Sequence, residues 1–243
     1  MGRWLVQLAG ERMDLEEYPY WFPDGEIHAI EEDGNVYLAG EALERLPNAS
    51  RVHEVALEAL DDFSAVISLL WPSLQRPRVS SVMREDDQGD RERHVHLSGS
   101  IKGRAKAHGS LTVKGTEEDG PSPTQAQTLL AGSQLDKHLQ AALFIWSDPL
   151  RPWARLYRIL EEIEQFLGEN AHEAGLCSHN QRNRFTQSAN TAEVAGKDAR
   201  HALDSFRPPA NPMRLKKARQ FIGCLLRQVL ARAATEGPPN TGQ

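Results

Sequence analysis

WARLYRILEEIEQFLG, residues 153–168, decides how the second half of this chain is read. Leu156, Ile159, Leu160, Ile163, Phe166 and Leu167 recur at three- and four-residue intervals, so one stripe of an α-helix is apolar. Gly168 follows as a stop, because glycine enters the left-handed conformation that closes helices without a Cβ penalty. Trp153, Tyr157 and Arg158 add an aromatic and basic edge. Upstream, residues 123–147 carry Leu129, Leu130, Leu135, Leu139, Ala142, Leu143 and Trp146 and are predicted as one helix, broken by SDPLRP. Downstream, PPANP is a rigid loop, and Pro212 with Met213 opens a last helix. Its apolar face holds Leu215, Ala218, Phe221, Ile222, Leu225, Leu226 and Val229, with Cys224 expected on the same side. Helices with such stripes bury a common core as a bundle.

The first half keeps another period. RWLVQLAG alternates Trp4, Val6 and Leu8 with Leu5 and Gln7, as a strand does. DLEEYPYWFPDG is expected to be an irregular aromatic turn region, because Pro19 and Pro23 interrupt it. EIHAIEEDGNVYLAG reads as a hairpin about Asp33–Gly34. An amphipathic helix follows with Val52, Val55, Ala56, Ala59, Leu60, Phe63, Val66, Ile67 and Leu70 on one side. Asn48 or Ser50 caps its start, and Pro72 ends it. RPRVSSVMRED, RERHVHLSG, SIKGRAKAHG and SLTVKG return to short strands, with DDQGD as a hairpin tip. The predicted class is α+β: a β-rich domain over 1–115, a linker over 116–127, a helical domain over 128–234 and a disordered tail over 235–243.

Composition narrows the function classes. The 243 residues are 26% charged and 40% hydrophobic, ordinary for a globular protein. No window approaches 18 continuous apolar residues, so no transmembrane helix and no membrane partner is expected. The opening MGRWLVQLAGERMDLEE lacks a signal-peptide core, and Val6 stands where N-myristoylation needs Ser or Thr. Two cysteines, Cys177 and Cys224, form neither a disulfide framework nor a structural zinc site, so a reduced, cytoplasmic protein is expected.

The net charge of -6 is unevenly spread. Residues 1–122 carry a balance of -10 and residues 123–243 one of +4. Between 176 and 232 there are 11 basic and 3 acidic residues. Such a region suits an anionic partner, or it lets oppositely charged halves attract or dimerise.

Most catalytic chemistry finds no footing. His94 and His96 share one side of a strand, but a metal site needs a third donor, and two histidines on a solvated strand face explain them. No HExxH, calcium loop, phosphate-binding glycine loop or dinucleotide fingerprint occurs. No metal and no cofactor is expected. LSGS lacks the nucleophile-elbow pattern. Cys177 lies near His179 and Arg182, where basic neighbours lower a thiol pKa; the plainer reading is a small, partly buried residue. Glu161 and Glu164 share a helix face, which a solvated surface explains.

RFTQSANTAEVAGKDARHA, residues 184–202, carries what remains, and it fits neither a helix nor a strand. Arg182, Arg184 and Arg200 surround Asn190, and His201 follows Arg200. Arginine forks grip phosphate, and a histidine can move the 2′-hydroxyl proton of RNA without a metal. Catalysis would use His201, Arg200 and Arg184. Phosphate or nucleic-acid binding would use Arg182, Arg184, Lys197, Arg200, Lys216 and Lys217. A purely structural loop would be pinned by Phe185, Asn190 and Asp198, with Asn190 bonding backbone and Asp198 capping a helix.

Two resemblances bear on these residues. WLVQLAG, DLEEYPYWFP, RLYRILEEIEQFLG, RFTQSAN and NPMRLKKARQFI together resemble a bacterial two-domain family that brings no activity with it. RLYRILEEIEQFLG and RHA resemble, more distantly, HEPN-type helical domains, whose Arg and His meet across a dimer and cleave RNA. The spacing departs from that pattern: Arg200 adjoins His201, and Lys197 stands four before it. The expectation is an interaction or sensor-like protein, homodimeric, whose basic half contacts RNA, other nucleic acid or a protein partner. A metal-independent ribonuclease is the alternative.

Overall fold

The computed structural model describes residues 2–95, 123–199 and 208–237. It shows a β-sheet domain followed by an all-helical bundle, an α+β architecture. The chain divides into two compact units, Met1–Leu60 with Gln75–Gln125, and Asp61–Leu74 with Ala126–Gln243.

The first unit is built on five antiparallel strands in the order β2-β3-β1-β4-β5. These are β1 (Arg3–Ala9), β2 (His28–Glu32), β3 (Asn35–Ala39), β4 (Arg78–Glu85) and β5 (Arg91–Val95). Asp33 and Gly34 both take positive φ, 51° and 71°, as the tight β2–β3 hairpin requires. At the next hairpin the Asp86 carboxylate accepts from the amides of Gln88 and Asp90, at 2.8 and 2.9 Å. Register places Leu5 opposite Met83 and Arg3 opposite Glu85, so these share one sheet face. There Leu5, Tyr37, Ala39 and Met83 form a buried cluster. Beside them, Arg3 and Arg91 both bind Glu85 and Glu32, so these four charges offset one another. The opposite face presents Trp4, Val6, Leu38 and Val82, also buried.

The aromatic turn region is helical instead: α1 (Arg12–Leu15) and α2 (Glu17–Trp21). Pro19 falls in the first turn of α2, where a missing N–H costs nothing. Tyr18 and Trp21 are buried there. After α3 (Glu41–Glu44) comes α4 (Ala49–Leu70), and the Asn48 side chain accepts from the Arg51 amide at 3.0 Å, capping it as expected. The expected strands SIKGRAKAHG and SLTVKG lie outside the described residues.

In the second unit the single helix expected over 123–147 is two, α5 (Pro123–Gln134) and α6 (Lys137–Ser147). Asp136 makes the break, because its carboxylate N-caps α6 at the His138 amide, 2.7 Å away. Helix α5 thus begins inside the stretch 116–127 read as linker. Helix α7 (Trp153–Leu167) ends at Gly168 with φ 71° and buries its stripe from Leu156 to Phe166, together with Glu162, while Leu167 is half-buried. Helix α8 (His179–Asn190) overturns the non-helical reading of the stretch from 184. It is started by a reciprocal capping box between Ser178 and Gln181, and buries Phe185, Ser188 and Ala189. Helix α9 (Ala192–Ala195) and a 3-10 turn (Gly196–Asp198) follow. Asp198 is the last residue of that turn, and the helix it was expected to cap would lie outside the described residues. Helix α10 (Leu215–Glu236) closes the bundle, and Gly132 of α5 lies against its Leu230 carbonyl. Cys224 is exposed rather than part of the apolar stripe.

Candidate anion-binding site

The residues expected to converge on a phosphate do not do so. Arg182 forms a bidentate pair with Glu164, both bonds 2.6 Å. Glu164 also accepts from the Ala171 amide, so it is a structural anchor and not a solvated surface group. Arg184 donates to the carbonyl and side chain of Asn211, at 2.5 and 3.1 Å. Ser188 accepts from the Met213 amide at 2.9 Å. These bonds fasten α8 to the segment that leads into α10. Phe185 is fully buried among Trp153, Tyr157 and Phe221, with ring centroids 6.0, 6.3 and 5.6 Å away. The Asn190 Oδ1 atom is buried and accepts nothing from the described residues. Lys197 is exposed on the 3-10 turn, and Arg200 and His201 lie outside the described residues. The Cys177 thiol pKa is raised, first by burial and then by Glu164, with Arg182 opposing. Basic neighbours do not activate it.

A different basic cluster is assembled inside the helical unit. A cavity of about 520 Å³ is walled by the end of α4, the α6–α7 connection and one face of α10. Arg151, Lys216, Arg219 and Arg227 all line it, and among the described residues no carboxylate does. On α10 the three cations follow helical spacing, at 216, 219 and 227, with Gly223 between them. Lys216, expected to bind phosphate, lines this pocket; its neighbour Lys217 does not.

Arg151 is the most constrained of the four. Its backbone takes φ 39°, the left-handed region that non-glycine residues rarely adopt. Its side chain folds back so that Nε donates to the Trp146 carbonyl at 2.7 Å and Nη2 to Ser68 Oγ at 2.8 Å. The guanidinium stacks on the Trp146 ring, 4.1 Å from the centroid. Trp146 in turn donates its indole N–H to the same Ser68 hydroxyl at 2.9 Å. Gly223 makes room for that ring, since a Cβ there would come within 2.7 Å of it. Arg219 donates to the carbonyls of Leu150 and Arg151.

Every acceptor that holds Arg151 and Arg219 is thus a neutral oxygen. Both guanidiniums are oriented, and neither charge is cancelled by an ion pair among the described residues. The nearby acid, Asp148, is paired with Arg155 at 3.1 Å. Burial lowers the Arg151 pKa to about 10; the Arg219 charge pushes the same way, and Asp148 opposes. Lys216 and Arg227 have no partner among the described residues. The arrangement can receive an anion with several acceptor oxygens, and its donors are placed before the anion arrives.

Of the four, the sequence pointed only to Lys216; helical spacing from that residue was the signal that would have found Arg219 and Arg227. Arg151 carried no such signal, because its role depends on Ser68 and Trp146, and Ser68 is far away in sequence. Among the described residues, no group of three or more His, Cys, Asp or Glu is placed to hold a metal ion. Among the same residues, no helix is long and apolar enough to cross a membrane.

The site and fold define a two-part α+β protein with a cationic pocket in its helical bundle. No protein-family model, curated protein or solved structure matches the chain.

Proposed function

We propose that this is an interaction protein whose helical half binds nucleic acid, through phosphate contacts at the pocket of Arg151, Lys216, Arg219 and Arg227. One observation carries the reading: two arginines are held in fixed orientation by neutral oxygens, beside two cations unpaired among the described residues. Orienting like charges together is unfavourable unless an anion compensates them. Arg184 is also held by neutral oxygens, but at this pocket four cations line one cavity.

The test is binding of a labelled single-stranded RNA pool as a function of salt, for the parent and for Lys216→Glu with Arg227→Glu. Both residues are exposed, so the fold survives their replacement. Affinity should fall with salt, and the log–log slope should become shallower by about 0.7 for each phosphate the variant no longer engages. Salt-sensitive binding that the double variant leaves unchanged would refute the site.

The ribonuclease alternative rests on His201 and Arg200, outside the described residues, and the geometry of Arg184 does not favour it. Cleavage resistant to EDTA and abolished in His201→Ala would restore it. Light scattering, with and without RNA, tests the expected homodimer.

A further inference from the structure

The pocket raises a narrower question than affinity for phosphate: whether it receives a strand in passing or the end of one. An internal phosphodiester carries one negative charge on two free oxygens, and its chain must enter and leave. A terminal phosphate has three free oxygens and close to two charges above its second pKa, near 6. Four cations around one cavity, with no carboxylate among the described lining residues, exceed what a single diester neutralises. Arg219 also stands close enough to oppose the Arg151 charge, donating to the Arg151 carbonyl, and a multiply charged group relieves this best. The cavity, at about 520 Å³, falls in the range of small-molecule sites, roughly 300–1,000 Å³. Three elements wall it, as suits a group that inserts.

We infer that this pocket recognises the terminal phosphate of a nucleotide unit, as a free nucleoside monophosphate or as the 5′-phosphate end of an oligonucleotide, in preference to internal phosphodiesters. The inference rests on the phosphate-binding reading above and narrows it to a ligand class. Arg151 and Arg219 present their remaining N–H groups to the phosphate oxygens, and Lys216 and Arg227 close over the charge.

The experiment compares three probes on the full chain by fluorescence anisotropy and competition: an RNA hexamer with a 5′-phosphate, the same hexamer with a 5′-hydroxyl, and adenosine 5′-monophosphate as competitor. At pH 8 the phosphorylated hexamer should bind at least about tenfold more tightly than the hydroxyl form, the equivalent of roughly one decade of affinity from the added charge. The preference should shrink as pH falls below about 6, where the terminal phosphate takes up its second proton. Lys216→Gln with Arg227→Gln should remove it while the circular dichroism spectrum stays unchanged. Competition by the mononucleotide at similar concentration identifies a free nucleotide as a sufficient ligand; preference without such competition identifies the oligonucleotide end. Either result supports terminal-phosphate recognition. Equal binding of both hexamers, abolished in the double variant, overturns the inference and leaves the nucleic-acid reading standing. No binding of any probe overturns both.

Discussion

Ser68→Ala should destabilise the helical unit well beyond what a small polar-to-alanine change in a helix ordinarily costs. The Ser68 hydroxyl accepts from the Trp146 indole at 2.9 Å and from Arg151 at 2.8 Å, and donates to the Ala65 carbonyl at 2.8 Å. Trp146 is only 4% exposed, so its orphaned N–H meets little water and costs about 1–3 kcal/mol. Arg151 keeps its bond to the Trp146 carbonyl and its place on the ring, and the pocket admits water to it. Its share is therefore smaller, about 1–2 kcal/mol. Alanine regains roughly 0.5 kcal/mol through helix propensity. The net expectation is about 2–4 kcal/mol, measured by urea unfolding followed by circular dichroism. Trp146→Phe removes the indole donor, so Ser68→Ala in that background should cost at least about 1 kcal/mol less, a coupling that a double-mutant cycle reads directly. A Ser68→Ala protein within about 0.5 kcal/mol of the parent, or strict additivity in the cycle, would refute the shared-acceptor account.

Other outcomes follow from separate contacts. Gly132→Ala should cost about 2 kcal/mol despite alanine's better helix propensity, because its Cβ would meet the Leu230 carbonyl and force α5 from α10; an unchanged unfolding midpoint would sink this. Burial raises the pKa of the Glu162 carboxyl, but hydrogen bonds from His138 and Arg158, both 2.7 Å, outweigh that and hold it below the usual range. Its contribution is therefore present above the ordinary carboxylate pKa and lost as pH falls through the depressed folded value. Glu162→Gln should cost about 1–2 kcal/mol near pH 7, and the gap should close in acid unfolding experiments below about pH 4. A gap that stays constant with pH would contradict the assignment. Cys224 is exposed in the pocket lining, whereas burial raises the Cys177 pKa, so a disulfide reagent at about pH 8 should modify Cys224 roughly tenfold faster. Saturating phosphorylated hexamer should slow that reaction, and equal rates for the two thiols would count against the described environments.

Local order was legible where short-range chemistry decides it. The α7 stripe, the Gly168 stop, the Asp33–Gly34 hairpin and the Asn48 cap each depend on neighbours within a few residues, so their positions follow from the sequence. The failures have local reasons of another kind. A capping box at Ser178 outweighs the low apolar content of α8, and an Asp136 cap splits a continuous apolar run. Pro19 is harmless because it sits in a first turn.

By itself, the sequence determined that a β-rich half precedes a helical half and that the basic surplus belongs to the latter. Periodicity and charge are properties of the chain read in order. Which cations meet was decided only by tertiary structure. Arg182 is neutralised by Glu164, while Arg184 is held by the neutral oxygens of Asn211 and Pro212 and does not line the pocket. The pocket instead joins α10 to Arg151, from a junction that reads as a mere helix break. An arginine's availability depends on whether its acceptors are carboxylates or neutral oxygens, and one of these acceptors arrives from 18 residues away for Arg182 and one from 83 for Arg151. No spacing rule within the chain carries that information, because only the folded bundle brings Ser68, Trp146 and Arg151 to one point.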